Sequence, residues 1–258
     1  MRSRRVGGVP SCVHAGSAGL REAFTPGRIE VLGKHTDYAG GRSLLAAVER
    51  GFTLVSVARP DPVVRVLALD VRESREFPLA GDVEPASGWA NYPMTVARRL
   101  ARDFPGVAPG ADIAMSSDLP LASGMSSSSA LVVGTFLSLA IWSGLARDDR
   151  FLREVRTGDD LASYLAAIES GQGFGGLHGD AGVGTHGGSE DHTAILRART
   201  GSLLQYGFVP PSLERTVPLP SGYRFAIASS GIAAEKTGAM RERYNRAAAL
   251  VRELRGIW

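Results

Sequence analysis

The chain has 258 residues, 44% of them hydrophobic, and a formal net charge of +3; that apolar share is enough for a substantial core. Its single cysteine, Cys12, excludes an intramolecular disulfide and a cysteine-based zinc cluster and fits a reducing cytoplasm. An isoelectric point near 9.3 raises the question of nucleic acid, but the basic residues are scattered, with local clusters such as "RSRR" at 2–5 and "RERYNR" at 241–246 and no long basic run. A polyanionic small ligand such as a nucleotide fits that balance equally well. The N-terminal stretch is basic but lacks an apolar h-region. No stretch approaches the roughly 18 apolar residues that span a bilayer. The expectation is a cytoplasmic protein with no nucleic-acid and no membrane partner.

In chain order, "RIEVLG" (28–33) reads as a strand ending at Gly33. "SLLAAVERGFTLVSVARP" (43–60) holds two apolar runs separated by Gly51. "VVRVLALDV" (63–71) alternates like a strand, and "ESREFPL" adds another. "WANYPMTVARRLARDF" (89–104) has helical spacing through Met94, Val96, Ala97, Leu100 and Ala101. "ADIAMSSDLP" (111–120) is a strand leading into a serine loop. "SALVVGTFLSLAIWSGLA" (129–146) is apolar nearly all round and reads as a buried helix. "DLASYLAAIESG" (160–171) is a helix stopped by Gly171. "GQGFGGLHGDAGVGTHGG" (171–188) is either a flexible linker or a loop shaped to bring backbone close to a ligand. Its Phe174, Leu177, Val183 and two histidines favour the second reading. Beyond it come "YGFVP", a proline-rich connection at 210–220, a strand "YRFAIASSG" (223–231) and a basic helix from about 234 to 255. There is no internal repeat.

Three constellations carry chemistry. In "LPLASGMSSSSAL" (119–131), Gly124 and Ser126, Ser127, Ser128 and Ser129 stand where a buried helix begins. One serine is enough to cap a helix. Four, with free helix N-terminal amides, suit an anion such as phosphate, and a hydroxyl there suits a hard cation. The plain alternative is a serine-rich cap. In "PGRIEVLGKHTDYAGG" (26–41), Arg28, Lys34, His35, Asp37 and Tyr38 crowd a loop after a strand, as a solvated turn or as the contacts of a polyhydroxylated ligand. In "THGGSEDHTAIL" (185–196), adjacent Glu190 and Asp191 lie between His186 and His192, without metal-ligand spacing.

Taken together, these stretches resemble the galactokinase branch of the GHMP kinases (galactokinase, homoserine kinase, mevalonate kinase, phosphomevalonate kinase). "GRIEVLGKHTDY" is similar to the signature Gly-Arg-x-Asn-Leu-Ile-Gly-Glu-His-Thr-Asp-Tyr, "PLASGMSSSSA" to the ATP-phosphate loop and "GGSEDHTAI" to the Gly-x-x-Asp-Gln segment. "GWANYPMTVARRL" (88–100) is similar to the Trp-x-Asn-Tyr helix, and "SSGIAAEKTGAMRERYNRAA" (229–248) to the opening of the second domain. The resemblance implies an α+β fold. An ATP-binding domain of the ribosomal-protein-S5-domain-2-like type spans 1–205, and an incomplete ferredoxin-like domain spans 206–258. It implies an ATP- and Mg2+-dependent kinase acting on a sugar hydroxyl, with Asp191 and Arg28 as catalytic pair. Gly124, Ser126–Ser129 and Trp89 fall at ATP, Ser128 and Glu169 at Mg2+, and Lys34, His35, Asp37 and Tyr244 at the sugar. Three departures bear on the acceptor: Lys34 stands where the signature has glutamate, Glu30 where it has asparagine, and the glycine-rich insert at 171–188 makes the spacing from Glu169 to Asp191 longer than in galactokinases. A lysine in the pocket favours an acceptor bearing carboxylate or phosphate; a lysine turned to solvent leaves selectivity alone. The competing functions are a catalytically silent ligand sensor and a kinase for a non-sugar acceptor.

Overall fold

The computed structural model describes residues 13–15, 19–106, 109–120, 124–228 and 238–257. Strands β1 (Val13–Ala15), β2 (Arg21–Leu32), β3 (Arg42–Ala58), β4 (Val63–Ala68), β5 (Glu73–Pro78), β6 (Ala111–Ser117), β7 (Ser202–Gly207) and β8 (Ser212–Pro218) form one sheet. The order is β1-β2-β3-β6-β4-β5, with β7 on the first part of β3 and β8 outside it. Among the described strands only β4 against β6 runs parallel.

Strand β3 is the spine. Arg42–Leu45 pairs with β7 and Phe52–Ala58 with β6, while β2 runs along its other edge. The two apolar runs expected around Gly51 are therefore one strand. Gly51 pairs with Pro26, and a Cβ there would strike the Thr25 carbonyl oxygen, so the residue without a side chain lets the strand continue where another would end it.

Helices α1 (Asn91–Asp103), α2 (Ser127–Ser143), α3 (Asp149–Glu154), α4 (Gly158–Ser170) and α5 (Glu190–Arg197) follow in chain order. Of these, α2 and α5 lie on the sheet, and α1 and α4 pack beside α2. Helix α2 is buried continuously from Ser129 to Ala140, as its all-round apolar sequence predicts. Val132, Val133, Phe136 and Leu137 meet Leu54, Val66, Ile113 and Met115 from the strands. Val57 and Leu67 face out, so the fold is the expected two-layer α+β arrangement.

The expected boundary at 205/206 falls inside β7, because β7 and β8 complete this sheet. Of the strand expected at 223–231, residues 229–231 lie outside the described set. The rest is not a strand: Tyr223, Phe225 and Ile227 alternate but stand exposed, and no described strand offers their backbone a ladder. The basic helix is α6 (Gly238–Ile257); residues 234–237 are outside the described set. Among the described residues no helix is long and apolar enough to cross a membrane.

The glycine-rich stretch is not a linker. Asp180 is fastened by Arg98, whose Nε donates to Oδ2 at 2.8 Å, with both side chains almost fully buried. Arg99 donates from Nη1 to the Gln172 carbonyl at 3.0 Å and from Nε to Asp103 at 2.9 Å, and the Tyr164 hydroxyl donates to the same Asp103 oxygen. The Val183 amide bonds the Glu169 carbonyl. Gly171 ends α4 at φ +77 and packs on Asp180 and Gly182; the chain reverses there within two backbone widths, which needs a glycine. Helix α1 thus holds the loop from below. Asp180→Ala would leave the Arg98 guanidinium buried without its carboxylate, and the expected loss is about 3–5 kcal/mol, measured by urea unfolding; a loss below 1 kcal/mol would contradict this role.

Candidate active site

The site is assembled from β2, the turn after it, α2, α4, α5 and α6. Arg28 and Glu30 are two apart on β2, so they share a strand face. Arg28 donates from Nε to Asp191 Oδ1 at 2.7 Å, with Nη2 at 2.6 Å from the same oxygen, and from Nη1 to the Gly124 carbonyl at 2.7 Å. Its backbone amide bonds the Met125 carbonyl. Burial works against the guanidinium's charge, but Asp191, Glu190 and Glu30 outweigh it and the pKa is raised. Asp191 sits in the first turn of α5, where helix amides favour an anion.

Opposite stands Glu169, at the end of α4 and buried. Its Oε2 accepts from the Ser129 hydroxyl at 2.8 Å and lies 3.1 Å from His192 Nε2. The imidazole is within ion-pair distance, although its N–H is not aligned for a good hydrogen bond. Burial opposes the Glu169 charge, yet His192 and Ser129 hold the carboxyl below its usual range. The resemblance paired Glu169 with Ser128. The hydroxyl that reaches it belongs to Ser129, one residue and about 100° further round α2.

Asp37, in the turn Asp37–Ala39, is buried and accepts from the Glu190 amide at 3.1 Å. Burial raises its pKa, partly opposed by the Glu190 and Tyr38 amides. A Cβ on Gly188 would strike this carboxylate, so only glycine admits it. His35 adopts φ 59 and sets its ring edge-on to Tyr244 with centroids 5.6 Å apart. Burial pushes the Tyr244 phenol up. These groups line one cavity together with Glu190 and His192.

Other expected residues lie elsewhere. Lys34 is exposed and does not line the cavity. Trp89 donates from Nε1 to Glu73 at 3.0 Å in a turn before α1. Ser126 precedes α2 in a left-handed conformation without capping it, Ser127 and Ser128 are half-buried, and Gly124 is exposed. Residues 121–123 of the serine loop are outside the described set. Among the described residues no group of three or more His, Cys, Asp or Glu is arranged to hold a metal ion by itself.

Comparison with known proteins defines the class first. Residues 91–188 match the family described as GHMP kinases N terminal domain, and the chain carries that domain. Residues 14–58 match the galactokinase galactose-binding signature. A galactokinase of Actinobacillus pleuropneumoniae serotype 3 is 31% identical over 221 residues, 85% of this chain and 52% of that protein. One from Chloroflexus aggregans is 30% identical over 220 residues, 84% and 50%. The chain spans about half the length of the curated relatives it matches. Among solved structures, Lactococcus lactis galactokinase complexed with galactose shares the fold with TM-score 0.65 at 22% identity, over 92% of this chain and 56% of that one. Methanococcus jannaschii mevalonate kinase gives 0.56 at 17%, over 74% and 55%.

One contact had no signal in the sequence beyond a polar residue beside Tyr244. Asn245 accepts from the His186 amide at 2.9 Å and donates to the Gly184 carbonyl at 2.9 Å. One amide thus fastens α6 to the glycine-rich loop. Asn245→Ala removes both bonds, and the His186 amide is expected to lose protection by roughly tenfold or more, since each net bond contributes about 1 kcal/mol. Hydrogen exchange reads this directly, and unchanged exchange at His186 would rule out the clamp.

Proposed function

We propose that this chain belongs to a magnesium- and ATP-dependent kinase that transfers the γ-phosphoryl group to a sugar hydroxyl, the anomeric one by analogy with galactokinases, in the cytoplasm. The observation that carries the reading is the Arg28–Asp191 pair, facing Glu169 and Ser129 across one cavity at the N-terminus of α2. Asp191 accepts the proton of the acceptor hydroxyl as general base. Arg28 orients that carboxylate and stabilises charge on the transferred group. The α2 amides and the hydroxyls of Ser126–Ser129 receive the ATP phosphates, with Gly124 in the approach and Trp89 on the adenine side. His35, Asp37 and Tyr244 contact the sugar.

The residues present fit magnesium: Glu169 is held ionised beside a hydroxyl, and a single carboxylate with a hydroxyl suits an ion that keeps its remaining positions for water and phosphate. Glu169 and Ser129 would hold it, and when bound it would neutralise the phosphate charge. The carboxylates around the cavity favour a neutral polyhydroxyl acceptor over a sugar acid or phosphate. Lys34, exposed, does not reverse that. The intact pair of Arg28 and Asp191 favours a kinase over a silent sensor.

Asp191→Asn is expected to keep ATP binding and to lower sugar-dependent ADP release by about two to four powers of ten; turnover close to the parent's would transfer the role to another group. Lys34→Glu is expected to leave the ranking of neutral sugars against sugar acids unchanged in the same assay. A parent that prefers acids, with a variant that loses the preference, would put Lys34 into the pocket after all.

A further inference from the structure

Beside the Arg28–Asp191 pair lie two carboxyl groups to which the reading above gives no role. Glu30 follows Arg28 by two on β2, and Glu190 precedes Asp191 at the start of α5. Both line the cavity. Glu190 is only 4% exposed. The Oε1 atoms of both are buried with no donor among the described residues, and the two carboxyl groups line the same cavity close enough to act on each other. Two ionised carboxylates in that position would repel and each would leave a buried acceptor unsatisfied.

Among the described residues, the surroundings do not supply the missing charge. From β2 comes Arg28, already committed to Asp191 and Gly124. The turn after β2 contributes His35 and the carboxylate of Asp37; α4 contributes Glu169; α5 contributes Asp191 and His192; α6 contributes the phenol of Tyr244. His192 lies against Glu169. Among the described lining residues, five carboxyl groups thus face one guanidinium.

We propose that Glu30 and Glu190 share one proton, with Glu190 as the neutral acid donating to Glu30, and that this pair positions Arg28 on Asp191. One hydrogen then joins the two orphaned oxygens. The charge facing Arg28 drops by one, so Asp191 meets less competition for the guanidinium. Burial, with the nearby charges of Asp37, Glu30 and Asp191, pushes Glu190 up from 4.5 to about 9. Where the galactokinase signature has asparagine, an uncharged side chain, this chain has Glu30, whose charge is met by a hydrogen bond from α5 instead.

The sign of the pH dependence follows from the bound proton. Between 4.5 and about 9 the folded chain holds a proton that the unfolded chain has released, so this group makes stability fall as pH rises through that window and adds no further change above it. The positioning role rests on the kinase reading; the shared proton does not.

The test uses the full chain and three readouts. Infrared spectroscopy at pH 7 is expected to show the carbonyl band of a protonated carboxyl, lost in Glu190→Gln and shifted in Glu30→Gln, which removes the oxygen that the acid donates to. If one variant fails to fold, the other answers. The melting temperature of the folded variant is expected to gain on the parent steadily from pH 5 to pH 9. No such band, or parallel melting profiles, overturns the shared proton. In sugar-dependent ADP release the parent's turnover is expected to fall about tenfold per pH unit above pH 9, and Glu190→Gln to lack that limb. A limb persisting in the variant overturns the positioning role. A chain that shows the band but turns over no sugar defeats the kinase reading and leaves the shared proton standing.

Discussion

One guanidinium joins three parts of this molecule that are far apart in sequence. Arg28 leaves β2 and binds the Gly124 carbonyl before α2 and the Asp191 carboxylate on α5. The loop that opens the central helix and the helix that carries the candidate base are thereby set against the same strand. A lysine could not do this, because its single ammonium has no planar fork to address two acceptors in fixed directions. The bridge is largely buried, so its electrostatic attraction is only weakly screened by salt.

The rest of the structure keeps that bridge in place. Strand β3 gives β2 a continuous partner, and α2 presses on both strands with an unbroken apolar surface. The glycine-rich loop brings Gly187 and Gly188 to the cavity because Asp180 anchors its other end through Arg98. Small side chains at the cavity wall and large buried ion pairs below are two halves of one arrangement: the loop approaches closely because it has no side chains, and it holds its shape because α1 supplies them.

Much of this was legible from residue pattern alone. The alternation in 63–71, the apolar helix after the serines and the stop at Gly171 are local signals, and local hydrophobic period decides them. The site was legible chiefly through resemblance: nothing in the spacing of Arg28 and Asp191 says that they meet across 163 positions. What stayed hidden depends on tertiary phase. The choice between Ser128 and Ser129 turns on how α2 is rotated toward α4. The burial of Glu190, whose backbone amide donates to Asp37 across the fold, is likewise set by tertiary packing. The described part of the strand expected at 223–231, residues 223–228, is not a strand, because alternation describes a strand's faces but cannot supply a partner for its edges.

Tyr244 and Asn245 are neighbours on α6, one turned to the cavity and the other fastened to the loop at Gly184 and His186. A helix is stiff over such a length, so the two contacts cannot be adjusted separately. From Asn245 to Ile257 the helix continues for twelve residues, about 18 Å at the usual rise. The docked turn therefore acts as a fulcrum with a long arm. A tilt of about 10° that moves the phenol by a fraction of its own width carries the far end through roughly 3 Å.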